Sequence, residues 1–223
     1  MLNKRLYISK NKQEIEAYLP FFHKNKIEVI AHSFLQFVPL NFQVKKPYQV
    51  IFFGSPRAVT FFLQQESIPE NVLIACIGEI TAQSIQKAGY IPHFIGSNAG
   101  SPSEVAQAFK SFVGTLNVLF PQSSSSNRSV ASVFNPNQII ELSIYQTVVH
   151  SRLIDPCDYY VFTSPSNVEG FLKENSISNQ AKVIAWGKTT QNYLLSQKIN
   201  VNQTLTSTSM DELILLLSKE FNH

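Results

Sequence analysis

Five short turns gather this sequence's hydroxyl side chains at points where a strand gives way to a helix. They are Ser55-Pro56-Arg57, Gly78-Glu79-Ile80-Thr81, Phe120-Pro121-Gln122-Ser123, Ser164-Pro165-Ser166 and Gly187-Lys188-Thr189-Thr190. A helix opening at such a turn leaves backbone N–H groups unpaired beside the positive end of its dipole, and both favour phosphate or carboxylate. Serine and threonine are also the ordinary N-caps, so any single turn can be read as capping alone. Five of them, two repeated, point to a cleft for a polyanionic ligand, with Ser55, Gly78, Thr81, Ser123, Ser164, Ser166 and Gly187 as contacts. Arg57 and Arg128 are the candidate cations, able to meet a carboxylate with two N–H groups, unless both are simply solvated at the surface. The run Ser123–Ser126 reads either as flexible linker or, lying directly after an apolar strand with Arg128 downstream, as an anion-binding loop.

Other chemistries find no residues. His23, His32, His93, His150 and His223 are dispersed without metal-ligand spacing, so no metal site is expected. Cys76 and Cys157 form no Cys-x-x-Cys, which argues against a disulfide scaffold or a structural zinc site. There is no Gly-x-Ser-x-Gly elbow, Walker loop or Gly-x-Gly-x-x-Gly, and no paired carboxylates suited to acid/base work. Cys76 lies mid-strand as a small buried hydrophobe, and Trp186, on a matching strand, reads as core.

The composition supports a well-packed protein. The 223 residues are 44% hydrophobic and 12% aromatic, enough for one large domain or two small ones. Only 15% are charged, so polar contacts fall to hydroxyls, amides and backbone. A formal net charge of +3 is too mild to indicate nucleic-acid or membrane steering. Met1-Leu2-Asn3-Lys4-Arg5 leads into a strand-like run rather than a signal peptide, and no apolar stretch approaches the ~20 residues of a membrane span. The expectation is a cytoplasmic globular protein.

The elements that carry these turns are duplicated. A shift of 109 positions carries Ile51-Phe52-Phe53 onto Tyr160-Val161-Phe162 and Ser55-Pro56 onto Ser164-Pro165. The same shift carries Val59, Phe62 and Leu63 onto Val168, Phe171 and Leu172, a helical i, i+3, i+4 stripe both times. It continues through Gly78 and Thr81 onto Gly187 and Thr190. Each copy predicts strand, Ser-Pro turn, helix, strand, Gly-x-x-Thr turn, helix and a third strand, at Tyr90–Phe94 and Ile199–Val201. Closing helices are predicted over Ser103–Phe112 and Ser209–Phe221. Unbroken apolar strands joined by short turns through helices imply a doubly wound parallel sheet. Two βαβ pieces remain. One is Leu6–Ile8, a helix over Gln13–Lys24 and Ile27–Ile30; the other is Val118–Phe120, a helix near Ser129–Phe134 and Ile139–Tyr145. Each completes the repeat beside it or, exchanged, the other one, and spacing leaves that choice open.

The ordered set of motifs resembles the uroporphyrinogen-III synthase family. It comprises Phe53-Gly54-Ser55-Pro56-Arg57-Ala58-Val59, Ile77-Gly78-Glu79-Ile80-Thr81-Ala82, Leu119-Phe120-Pro121, Tyr145-Gln146-Thr147, Phe162-Thr163-Ser164-Pro165-Ser166 and Gly187-Lys188-Thr189-Thr190. The resemblance implies an α/β protein of two similar doubly wound parallel-sheet lobes joined by a two-stranded β-ladder, with an active-site cleft between lobes. It assigns residues 1–33 with 151–223 to one lobe, 47–142 to the other, and 34–46 with 143–150 to the ladder. It implies cyclisation of hydroxymethylbilane, a linear tetrapyrrole with eight carboxylates, with loss of water and inversion of ring D through a spiro intermediate. No cofactor is implied. Left alone, hydroxymethylbilane closes without inversion, so the enzyme's task is chiefly one of orientation.

Tyr145 matches the tyrosine proposed in the family to help the hydroxyl leave, a role open to a phenol, which is protonated at neutral pH; otherwise it is a sheet aromatic. Thr189 and Thr190 match threonines expected to hold substrate carboxylates. The resemblance further implies a monomer, a possible hand-off of substrate from porphobilinogen deaminase, and no nucleic-acid or membrane partner. Two positions depart from the pattern: Gln191 replaces the usual alanine, and the serine run replaces a glycine-containing turn. The competing reading is a non-catalytic two-lobed module that binds a polycarboxylate or tetrapyrrole, since fold does not fix function. A glycosyltransferase-like reading lacks its acidic or glycine-rich nucleotide turn.

Overall fold

The computed structural model describes residues 4–221; Met1, Leu2, Asn3 and His223, which entered the sequence reading, lie outside the described residues. In chain order the elements are β1 (Lys4–Ile8), α1 (Lys12–Ile15), α2 (Leu19–Lys24), β2 (Ile27–Ala31), β3 (Leu35–Pro39), β4 (Val50–Phe53) and α3 (Pro56–Leu63). Next come β5 (Leu73–Cys76), α4 (Glu79–Lys87), β6 (Phe94–Ile95), α5 (Pro102–Val113), β7 (Val118–Ser123) and β8 (Ile139–Val149). The chain continues with β9 (Tyr159–Phe162), α6 (Pro165–Leu172), β10 (Lys182–Ala185), α7 (Lys188–Ser196), β11 (Gln203–Thr204) and α8 (Met210–Phe221).

These elements divide into two compact units. One holds the chain up to Gln36 and everything from Val148 on; the other is Phe37–Thr147. The first contains a parallel sheet ordered β11-β10-β9-β1-β2. The second sheet is ordered β3-β8-β7-β4-β5-β6, parallel from β8 to β6. Apart from β3 the two orders are the same, with β1 and β2 occupying the places that β7 and β8 hold in the second unit.

The duplication is reproduced bond for bond. β4, α3, β5, α4 and β6 begin and end 109 residues before β9, α6, β10, α7 and β11. The Ile77 N–H donates to the Phe53 carbonyl at 3.1 Å, as Trp186 does to Phe162 at 2.8 Å. Both α4 and α7 are followed, two residues on, by a left-handed residue, Gly89 with φ +87° and Lys198 with φ +60°. The third strands differ from expectation: they are β6 and β11, not Tyr90–Phe94 and Ile199–Val201. Each is delayed by one side chain that does the work of the ladder. The Ile74 N–H donates to His93 Nδ1 at 3.1 Å, and the Val183 N–H donates to Asn202 Oδ1 at 2.8 Å. His93 and Asn202 return their own N–H groups to the carbonyls of Ile74 and Val183.

Two predicted helices are also corrected. Gln13–Lys24 is split into α1, a 3-10 turn at Glu16–Tyr18 and α2. Pro20 has no N–H to give and its ring would strike the carbonyl four residues back, so one continuous helix is excluded. Ser129–Phe134 is only a 3-10 turn at Ala131–Val133, preceded by Arg128 at φ +57°.

Each sheet is covered on both faces, which is why its central strands β4 and β9 are wholly apolar and buried. In the second unit Ile51, Phe53, Ile74 and Leu119 face α3 and α4, while Val50, Phe52, Val118 and Phe120 face α5. In the first unit the fully buried Tyr7 ring lies 5.4 Å from Phe171 and 5.7 Å from Phe162. Gly170 on α6 permits close approach there, since a Cβ at that position would fall 2.5 Å from Phe34 Cβ.

Candidate functional site

The hydroxyl turns separate into two kinds. Ser55 and Ser164 cap their helices: their side chains accept the N–H of Ala58 at 3.2 Å and of Asn167 at 3.3 Å. Ser164 Oγ also receives the Asn167 side-chain amide at 3.1 Å, so it is further engaged within its own unit. The Gly-x-x-Thr turns behave differently. Gly78 and Gly187 hold the cap position with extended backbone and no side chain. A Cβ on Gly78 would fall 2.8 Å from Ala99 Cβ, so the neighbouring loop can close over the turn only because this residue is glycine. Thr81 and Thr190, in the first turns of α4 and α7, are only 2% and 3% exposed. Among the described residues neither threonine hydroxyl makes a hydrogen bond. Neither hydroxyl oxygen is itself sealed from solvent, so each can be reached by a ligand group.

In the second unit the carboxyl ends of β4, β5 and β7 enclose a cavity of about 500 Å³. Ligands of open parallel sheets bind at such strand ends. The walls are of two kinds: apolar surface from Phe52, Phe120, Val130 and Ala131, and polar groups from Ser55, Thr81, Gln122, Ser123 and the loop from Ser126 to Ser129. A mostly apolar pocket with a few convergent polar groups is the usual form of a small-molecule site.

Tyr145 reaches this cavity through an irregularity in the ladder. Gln122 pairs with Ser143 but Ser123 pairs with Tyr145, so Ile144 is an extra residue. The bulge places consecutive residues, Ile144 and Tyr145, in the interior, where strict alternation would expose one of them. Tyr145 stacks on Phe61 at 5.2 Å and 24° and meets Phe37 edge-on at 6.4 Å. Its hydroxyl has no hydrogen-bond partner among the described residues. The ring is therefore held by its flanks.

The two arginines are placed unequally. Arg57 lies with its guanidinium 3.3 Å over the Phe37 ring and, among the described residues, makes no ion pair. Arg128 lines the cavity, but its charge is already engaged: Nε donates to Glu141 Oε1 at 2.6 Å and Nη2 lies 2.5 Å from Oε2. Gln122 Nε2 also donates a hydrogen bond to the same carboxylate at 2.9 Å.

Of the residues singled out in the sequence, Ser55, Thr81, Ser123, Arg128 and Tyr145 line one cavity. Gly78 and Arg57 stand in the adjoining turns without lining it. Ser164, Ser166, Gly187, Thr189 and Thr190 belong to the other unit, where Ser166 and Thr189 are exposed. Sequence reasoning missed Asn127, Ser129, which lines the cavity from a loop where a helix was expected, and Glu141, whose isolated charge in a strand gave no signal. It also missed the first unit's Glu212. That carboxylate accepts the Thr206 and Ser207 N–H groups and both hydroxyls, which hold its pKa down at about 2. Burial pushes the Cys76 and Cys157 thiols up to about 11, which makes them poor nucleophiles. Among the described residues no group of His, Cys, Asp and Glu could hold a metal ion, and no helix is long and apolar enough to cross a membrane.

A family model described as uroporphyrinogen-III synthase HemD matches residues 16–214. No curated protein sequence matches the chain. Among solved structures, the uroporphyrinogen-III synthetase of Helicobacter pylori 26695 is similar with a TM-score of 0.72 at 15% identity, covering 97% of this chain and 99% of that one. A mutant uroporphyrinogen III synthase of the extremely thermophilic bacterium Thermus thermophilus is similar with a TM-score of 0.60 at 11% identity, covering 98% of each chain. At these identities the two structures speak to the fold alone.

Proposed function

The chain belongs to the uroporphyrinogen-III synthase family, an enzyme family of tetrapyrrole biosynthesis, and on that premise we propose that it is a cyclising hydro-lyase. It converts hydroxymethylbilane to uroporphyrinogen III, with loss of water and inversion of ring D. The observation that carries this reading is the family match across residues 16–214. The cavity supports it, because its apolar walls and free hydroxyls suit a pyrrole carrying carboxylates.

In this reading Tyr145 donates a hydrogen bond to the departing hydroxyl, which leaves as water once it has gained a proton. Thr81, Ser123 and Arg128 hold acidic substituents at the cavity, with Ser55 beside them. Arg57 and the Gly78 turn stand next to that group, Arg57 offering a planar cation already stacked on Phe37. Thr190 is the counterpart of Thr81 in the other unit, and with Ser164, Ser166, Gly187 and Thr189 it is assigned to further substrate carboxylates. Because the linear substrate also closes unaided, the protein must favour one closure over the other. A hundredfold preference needs about 2.7 kcal/mol, within reach of a few oriented contacts. The reading extends to a monomer acting in the cytoplasm on substrate handed over by porphobilinogen deaminase.

The test is a coupled assay with porphobilinogen and its deaminase, run with and without this protein, the products oxidised and their isomers separated. A shift from isomer I to isomer III is expected. Isomer I alone from folded protein would overturn the reading and leave a non-catalytic tetrapyrrole-binding module as the better account.

A further inference from the structure

Glu141 is an unexpected residue beside a pocket for a polycarboxylate, because an unpaired carboxylate there would repel the ligand. It lies opposite Phe120 in the β7–β8 ladder, on the face that supplies Phe120 to the cavity wall. Its neighbours on that face of β7 and β8, Val118, Phe120 and Ile139, pack in the apolar core. Its charge is met by Arg128 through Nε and Nη2, at 2.6 and 2.5 Å, and by Gln122 at 2.9 Å. The Arg128 backbone is pinned as well: its N–H donates to Ser126 Oγ at 3.2 Å and its carbonyl accepts from Ser132 at 2.9 Å. A guanidinium has five N–H donors in one plane. Glu141 takes two along one edge, so three remain.

We infer that Glu141 is a positioning residue that clamps Arg128, so that the free edge of the guanidinium receives one carboxylate of the substrate in the cavity. Displacement of Glu141 by the substrate is the less favourable arrangement, since it would leave Glu141 with Gln122 as its only partner. One guanidinium holding two carboxylates on different edges strands neither. The pair's net neutrality also keeps the cavity wall from attracting acidic groups indiscriminately; recognition then depends on geometry more than on charge. This inference rests on the functional reading above.

The experiment supplies hydroxymethylbilane directly and measures kcat, KM and the fraction of isomer III for the unaltered chain, Glu141→Gln, Glu141→Ala, Arg128→Ala and the Glu141→Ala/Arg128→Ala double variant. Thermal melts are recorded in parallel. Arg128→Ala is expected to raise KM about tenfold, and Glu141→Ala to raise it several-fold with kcat within about twofold. Both should lower the fraction of isomer III. Glu141→Gln, which retains one acceptor oxygen, should restore part of the loss. The double variant should be no worse than Arg128→Ala alone, because Glu141 acts only through Arg128. Fully additive losses would overturn the inference, as would a lowered melting temperature with unchanged KM. Isomer I alone from the unaltered chain would overturn the functional reading, and this inference with it.

Discussion

Tyr145 has its ring fixed on two sides by Phe61 and Phe37 and its hydroxyl unpaired at the cavity. Tyr145→Phe keeps both ring contacts and removes only the oxygen. It should therefore lower kcat on the order of a hundredfold, the lower end of what a positioned acid supplies, with no loss of thermal stability. A rate equal to the parent would reassign Tyr145 to packing. Burial acts differently on the two cysteines. Their folded-state pKa values of about 11 lie above the ordinary value near 9, so unfolding lets them ionise more easily. Their contribution to stability is fully present below about pH 9 and is lost as pH rises towards 11. Denaturant titrations from pH 8 to 11 should show falling stability, and the Cys76→Ala/Cys157→Ala variant should show a shallower fall. An unchanged slope would place the alkaline sensitivity in other groups. Cys76 was legible in the sequence as a buried hydrophobe, since it interrupts no apolar pattern; Cys157, set between Pro156 and Asp158, was not.

At the scale of elements, the sequence revealed what repeated and concealed what substituted. Ser-Pro and Gly-x-x-Thr recur because a cap and a close loop approach each tolerate few residue types, and the copies in the second unit border the cavity. His93 and Asn202 share no residue type, yet each accepts the N–H at the same place in the ladder. Nothing in hydrophobic periodicity reports such an exchange, so the apolar residues around Pro92 and Asn200 point to strands that begin earlier than β6 and β11 do. The part-buried Val183 N–H depends on Asn202. Asn202→Ala should destabilise the chain by about 1–3 kcal/mol, the cost of leaving a buried donor unpaired. Asn202→His, borrowing the solution of the sister copy, should recover much of that loss. Chemical denaturation checks both; equal stabilities of Asn202→Ala and the parent would show that water satisfies the amide. The Arg128–Glu141 pair was hidden for a related reason, because a cross-strand partner is a property of register, and register is not written in either residue.

At the scale of the molecule, the two units are alike in strand order but are assembled from different stretches of chain. Phe37–Thr147 is continuous, whereas the other unit joins the residues up to Gln36 to those from Val148 on. Its central strand β9 is flanked by β10 and by β1, and β1 in turn carries β2. Without the N-terminal segment, β9 would become an edge, and Tyr160, Phe162 and Phe171 would lose the Tyr7 ring that lies 5.4 to 6.0 Å from each. Such aromatic contacts add about 0.5–1.5 kcal/mol each beyond the area they bury, and an uncovered strand edge invites association. Residues 37–147 expressed alone should therefore fold and melt cooperatively, since every strand of their parallel ladder from β8 to β6 starts within them. Residues 148–223 alone should be unfolded or aggregated, and addition of a peptide spanning residues 1–36 should restore helical circular dichroism and a melting transition. A cooperatively folded 148–223 fragment would mean that β9, β10 and β11 with their helices form a sufficient core, and that the N-terminal strands are added to a unit already formed.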